Sequence, residues 1–296
     1  MRVIDAATEK NYIESSIKAN GCTPEHNYSY LLHNSSNAYK SVFIDSGNKQ
    51  GVMAIKSKNI WKFISEPVAK EKQKVGILTE SVSFALKSGA EKVVLELRDE
   101  TKKELIENLP SSCVARKSVY TYYWPVYNLR KFDPELHGVK WKKMRNIKNY
   151  FEKNHEFEMV NSIGVEKNQL MKIYRAWTAR RGGLDRVEKD RCINAIKEGF
   201  EGYEIAKSIL VDGEPCTISG GWKIPNSNAF YSSLGMLNYE HKYLGEFATV
   251  IEFAMLKKLG FEYVDLGGSG EYLLRFKMKF KPEYVYKTTE FSVAKK

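Results

Sequence analysis

The run Phe247–Val293, FATVIEFAMLKKLGFEYVDLGGSGEYLLRFKMKFKPEYVYKTTEFSV, carries the densest pattern in the chain. Its order predicts a helix closed by Gly260, a strand ending on Asp265, a Gly267-Gly268-Ser269-Gly270 turn, a basic helix and a last strand. An acid, a glycine-rich turn and a cluster of cations thus gather at the carboxyl end of one strand, where open α/β sheets bind ligands. A second helix–glycine–strand unit lies earlier, in ESVSFALKSGAEKVVLEL at Glu80–Leu97. Aligning Gly89 with Gly260 pairs Glu91 with Glu262, Val93 with Val264 and Leu95 with Leu266. One unit used twice is the expectation.

The remaining sequence repeats that order. In the first half a helix over 8–19 precedes strands at 39–45, 50–57 and 60–65. A helix over Lys74–Lys87, a strand over Lys92–Leu97, a helix over Glu100–Asn108 stopped by Pro110, and extended residues Val114–Tyr127 follow. The second half predicts helices over Gln169–Arg180 and Arg186–Glu198, on either side of a Gly182-Gly183 turn. Strands Tyr203–Val211 and Pro215–Ile224 join across Asp212-Gly213, the strongest hairpin signal present. Ala229–Leu237 is the next strand and Gly245–Leu259 the next helix. The Pro/Gly break FDPELHG at Phe132–Gly138 divides the chain into domains 1–133 and 134–296. The second domain opens with VKWKKMRNIKNYF at Val139–Phe151, an amphipathic helix. Trp141, Met144, Ile147 and Phe151 should face a core, with Lys142, Arg145 and Lys148 on a neighbouring face.

A chain of 296 residues, 43% of them hydrophobic, has room and apolar mass for two packed domains. No apolar run approaches the roughly 18 residues of a membrane span, and the start lacks a secretory signal. A cytoplasmic or membrane-peripheral protein is expected. Four widely spaced cysteines fit free thiols better than disulfides, and the five histidines form no ligand-spaced pair, so no metal site is expected. The net charge of +11 favours anionic partners such as a nucleotide cofactor, tRNA or a lipid surface.

The order hairpin, strand, helix, strand, helix, strand resembles the GNAT acyltransferase fold, used here in tandem. Two groups of tandem GNAT proteins joined by a basic helix are similar. They are the FemABX aminoacyltransferases and the DUF2156 family, akin to the catalytic domain of phosphatidylglycerol lysyltransferases. Gly138–Phe151 looks like the family's G-K-x-x-x-K-x-R-N-x-I-N-x-F helix. Asp265-Leu266-Gly267 followed by LRFKMKFKP at Leu274–Pro282 looks like its D-L-G … L-R-x-x-K-x-x-Y-x-P ending. The resemblance implies an α+β fold of two tandem GNAT-like domains with mixed sheets. It also implies transfer of an acyl group, aminoacyl-tRNA being the expected donor, onto an amine or hydroxyl of a lipid, peptide or small molecule. Acyl-CoA is the alternative co-substrate, and a non-catalytic module binding RNA or anionic lipid is the third reading. No tightly bound cofactor is expected. CoA-dependent relatives carry Q/R-x-x-G-x-G/A before the helix that follows the fourth strand, whose amides cradle pyrophosphate. Here that stretch is NYEHKYLGEFA at Asn238–Ala248, where Glu246 satisfies the helix dipole and repels a pyrophosphate. The balance moves towards tRNA.

Candidate residues follow from both lines. Arg145, with Lys142 and Lys148, offers phosphate contacts, Arg145 foremost because a guanidinium binds phosphate in a bidentate manner; the alternative is a solvated helix face. Arg275, Lys277 and Lys279 would form an electrostatic funnel. The alternation Phe276-x-Met278-x-Phe280 suggests that their helix passes into a strand with the cations facing one way. Asp265 either orients the attacking amine or caps the turn that follows, and Gly267 and Gly268 would let a donor approach. Tyr272 falls in the helix where some GNAT enzymes place a tyrosine acid, so the resemblance implies that it protonates the leaving group. Tyr231, Ser232, Ser233 and Gly235 lie on the central fourth strand, where the resemblance to GNAT folds implies a bulge that frees a backbone N–H to polarise the acyl carbonyl. Arg180 would line the cleft, beside Trp177.

Overall fold

The computed structural model describes residues 1–181 and 188–296. The expected Gly182-Gly183 turn and the Arg186 helix start lie outside them. In the first half, β1 (Arg2–Asp5), α1 (Lys10–Asn20) and α2 (Tyr28–His33) precede the meander β2 (Lys40–Gly47), β3 (Gln50–Lys56) and β4 (Ile60–Phe63). Helix α3 (Lys74–Lys87) leads to β5 (Lys92–Arg98), then α4 (Asp99–Glu107), β6 (Cys113–Ala115) and β7 (Tyr120–Asn128). The second half begins with α5 (Lys142–Asn154), β8 (Phe157–Asn161), α6 (Lys167–Arg181) and α7 (Lys189–Lys197). It continues with β9 (Ile205–Val211), β10 (Glu214–Pro215), β11 (Thr217–Lys223) and β12 (Ala229–Leu237). Helix α8 (Leu244–Lys258), β13 (Tyr263–Asp265), α9 (Glu271–Lys277) and β14 (Tyr284–Lys295) complete it.

The duplication read from the sequence is present. In each half an antiparallel meander, β2-β3-β4 or β11-β12 with β9, ends on a strand that runs parallel to the next, β4 with β5 and β12 with β13. The connecting helix, α3 or α8, breaks at a glycine with positive φ, 98° at Gly89 and 90° at Gly260, a conformation that costs other residues more. The strands join into one mixed sheet in the order β1-β2-β3-β4-β5-β14-β7-β13-β12-β11-β9-β10. The halves exchange their long last strands: β14, from the second half, lies beside β5, and β7, from the first, lies beside β13. These two strands also pair with each other.

Apolar residues cover both faces. Phe63, Leu78, Val82, Leu95 and Phe291 form one cluster, and Phe230, Val250, Phe253 and Phe280 another. Met144, Ile147 and Phe151 of α5 are buried, as their helical spacing requires. One local expectation fails. Residues 276–280 do not pass into a strand: α9 runs into a 3-10 turn over Met278–Phe280, and Lys281 turns left-handed. Phe276 and Phe280 are a helical i,i+4 pair with ring centroids 5.4 Å apart, so the alternation there was half of a helical period.

Candidate active site

Strand β12 pairs with β13 only along Ala229–Tyr231, and past Tyr231 the two part. On its other side β12 carries a bulge: Gly220 opposes Leu234 and Gly221 opposes Ser232, which leaves Ser233 without a partner. Gly221 permits this because a Cβ there would stand 1.7 Å from the Tyr231 carbonyl oxygen. The small residues Ser232, Ser233 and Gly235 therefore mark a splay and a bulge, as the sequence suggested. A cavity of about 250 Å³ opens at this point, bounded by both halves.

Its floor is the turn after β13. Lys277 is buried, and its Nζ donates to the carbonyls of Leu266 (2.7 Å) and Gly267 (2.8 Å). Ser269 exchanges backbone hydrogen bonds with Tyr123. Gly268 lies against the indole of Trp124, where a Cβ would come within 2.8 Å of the ring. Trp124 in turn stacks on Tyr286 at 5.6 Å and donates from Nε1 to Thr288 Oγ1. The turn is pinned on each side, and its backbone faces the cavity.

The walls carry acids. Glu252 projects from the apolar run of α8, and Ser232 Oγ donates to its Oε1 at 2.7 Å. Burial pushes the Glu252 carboxyl up to about 7. From the first half, Glu25 is pushed up to about 8 by enclosure and by the nearby Glu96, and burial raises Glu96 to about 7. Glu188 is opposed by burial but held below the usual carboxylate value by Arg191 and Lys62. Arg191 binds Glu188 through Nε at 2.8 Å and donates from Nη1 to Ser233 Oγ at 2.6 Å. This chain fixes the bulged residue from the side. Trp177 also lines the cavity, with the Arg181 guanidinium 5.2 Å from its ring centroid.

Of the candidates named from sequence, Tyr231, Ser232, Ser233, Gly235, Gly267, Gly268 and Lys277 line this cavity together. Asp265 sits beneath its floor. It is 2% exposed, with Oδ1 accepting from the Gly267 amide at 2.8 Å and Oδ2 from the Tyr286 hydroxyl at 2.8 Å. That is the turn-capping arrangement, and burial raises the carboxyl to about 6. Tyr272 is 61% exposed on α9. Arg145 spans back to the linker, donating to the carbonyls of Leu136 and Gly138. Lys148 pairs with Glu135 and Glu152, and Lys142 is exposed. Lys279 binds Glu246 at 2.8 Å and neutralises the acid at the start of α8. Arg275 and Arg180 are exposed, and the cations of 275–281 diverge instead of forming one face. Of these cations only Lys277 lines the cavity, and Tyr272 does not.

Sequence reasoning missed Glu25, Glu96, Glu188, Arg191 and Glu252. Glu252 alone had a local signal, as the single acid inside FATVIEFAML. The others reach the cavity through strand pairing and helix packing between distant segments.

The family model described as phosphatidylglycerol lysyltransferase, C-terminal, matches residues 22–290. The chain belongs to that family. Among solved structures it is similar to the C-terminal domain (DUF2156) of a protein described as a lysylphosphatidylglycerol synthetase, from Agrobacterium fabrum. Identity is 15%, with 97% of this chain and 92% of that one covered and a TM-score of 0.68. FemX matches at 10% identity over 99% of this chain and 97% of its own, with a TM-score of 0.65. A tandem GNAT protein from the clavulanic acid biosynthesis pathway matches at 10% identity, 99% and 98% coverage, and a TM-score of 0.56. No curated protein sequence matches. The fold of this family member is thus the tandem GNAT fold expected from its motifs. Among the described residues no helix is long and apolar enough to cross a membrane.

Proposed function

We propose that the chain is an aminoacyltransferase that moves an aminoacyl group from aminoacyl-tRNA to an amine or hydroxyl acceptor. The observation that carries this reading is the acid-lined cavity at the bulged, splayed strand, within a chain of net charge +11. A neutral acyl group has no use for Glu25 and Glu96, whereas an aminoacyl ester brings an ammonium group whose charge favours their ionised form. The basic exterior suits a polyanionic donor.

In this reading the nucleophile attacks the ester carbonyl carbon, a C–N or C–O bond forms, and the bond to the ribose oxygen breaks. Glu252 takes the nucleophile's proton, directly or through Ser232. The Ser233 backbone N–H, left out of the strand register by the bulge, is turned to the developing oxyanion, with Arg191 bracing the residue. Glu25 and Glu96 hold the ammonium group, and the departing ribose oxygen receives the proton that Glu252 took from the nucleophile. A cationic aminoacyl group, such as lysyl or arginyl, uses more of these acids than an alanyl group does.

The test offers labelled lysyl-, arginyl- and alanyl-tRNA to the purified protein with amine, peptide and anionic phospholipid acceptors, and follows label into product. Transfer from a charged tRNA supports the proposal. Turnover of an acyl-CoA thioester without tRNA would replace it, and salt-sensitive RNA or vesicle binding without turnover would leave a binding module.

A further inference from the structure

We propose that His155, Asp212 and His241 form a binding site for a divalent metal ion of the zinc class, none of them lining the acid-lined cavity. The three come from different segments: the residue capping the end of α5, the tip of the β9–β10 hairpin, and the loop between β12 and α8. Their ligand atoms all lie within 4.8 Å of one another. A tetrahedral zinc site with bonds near 2.0–2.2 Å needs ligand atoms about 3.4 Å apart, so small side-chain rotations close it. Cys216 and Glu240 form a second such group with His241, and water completes the coordination of the first.

The surroundings are those of a metal site. His155 Nδ1 lies 3.0 Å from Asp212 Oδ2, and the other carboxylate oxygen accepts from the Glu156 amide at 3.0 Å. That amide fixes the carboxylate plane, as outer-shell bonds do for metal ligands. The imidazoles of His155 and His241 meet edge to face with centroids 4.8 Å apart. Phe151, fully buried, packs against both. Asp212 is half exposed, which gives an ion a way in. Two imidazoles and a carboxylate select borderline metals such as zinc over magnesium or calcium.

An ion here would tie the hairpin and α5 to a loop in which Tyr239 and Tyr243 hold φ of 63° and 69°. That loop leads straight into Gly245, which lines the cavity. The site would therefore brace one wall of the cleft without touching substrate.

The test uses full-length protein freed of any tag and stripped with chelator, titrated with zinc against a chromophoric competitor. One zinc per chain is expected. His241→Ala should weaken binding by more than about 100-fold, beyond the loss that outer-shell changes alone cause. Asp212→Asn should weaken it by at least about 10-fold. His137→Ala, which removes another exposed histidine paired with an acid (Asp133, 2.7 Å), should leave binding unchanged. No zinc retained against the competitor, or equal affinity in His241→Ala, overturns the proposal. Should His241→Ala fail to fold, cobalt in the wild type decides: intense visible bands of a four-coordinate ion support the site, and the weak spectrum of hydrated cobalt overturns it.

Discussion

Glu252 shows how one side chain ties stability to chemistry. It is buried on an apolar helix face, bound by Ser232, and its carboxyl sits at about 7, close to the pH at which a general base works best. Glu252→Gln keeps the size and the hydrogen bond but cannot take a proton. Steady-state kinetics should show kcat reduced by about 10²–10⁴-fold, with loss of the limb that rises through pH 7. A stability readout separates this from misfolding. The folded carboxyl titrates above its ordinary value, so its contribution to stability is full below about pH 4.5 and is lost as pH rises through 7. Wild type should therefore lose up to about 3 kcal/mol between pH 5 and 8 from this group, by the relation of pKa shift to free energy. Glu252→Gln should lack that loss and melt higher than wild type at pH 8 but not at pH 5. At this scale the sequence was only half readable. Ser232 and Ser233 stood out because a core strand would carry Val or Ile there. Arg191 and Glu188 carried no local signal, because nothing local reveals which face a neighbouring domain will cover.

Elements were easier to read, and their errors are instructive. The amphipathic period of α5 correctly placed Met144, Ile147 and Phe151 inside. It said nothing of where Arg145 would reach, since that depends on the path of the linker at Leu136–Gly138. With its guanidinium on two linker carbonyls, Arg145→Ala should cost about 1–3 kcal/mol of unfolding free energy in urea, the penalty for stranding hydrogen-bonding groups. Activity below the transition should be kept. Unchanged stability with transfer abolished would instead restore the phosphate-holding role suggested by the motif. The glycine-rich turn was read as room for a donor to approach, and the structure shows it pinned by Lys277, Tyr123 and Trp124. Gly268→Ala puts a methyl group against the indole, which overpacks the floor. Thermal melts should show a loss of about 1–3 kcal/mol, and Trp124 fluorescence should change with it.

At the scale of the molecule, the duplication was visible in paired residues about Gly89 and Gly260, but the exchange of last strands was not. Strand partners are chosen by long-range pairing, and the pattern of a buried strand is the same whichever half it joins. The exchange makes a strong demand on folding. Strand β14 pairs with β5 along Thr288–Ala294 and with β7 along Tyr284–Glu290. It also contributes Phe291 and Val293, each at most 1% exposed, to the core of the first half. Burying the Phe and Val side chains alone is worth about 1.5–3 kcal/mol each, and the ladder bonds on both edges add to that. A stable domain of ordinary size has only about 5–15 kcal/mol in hand. A chain ending at Lys281 should therefore lose its cooperative transition by circular dichroism, although everything removed follows the proposed site in sequence. Residues 1–133 alone should fare no better, lacking the strand between β5 and β7. A peptide spanning 282–296, added in trans, should restore the transition, with saturation that reports its affinity. A sharp, unaltered melt for the 1–281 chain would show that each half closes its own sheet and that the exchanged strand is an ornament.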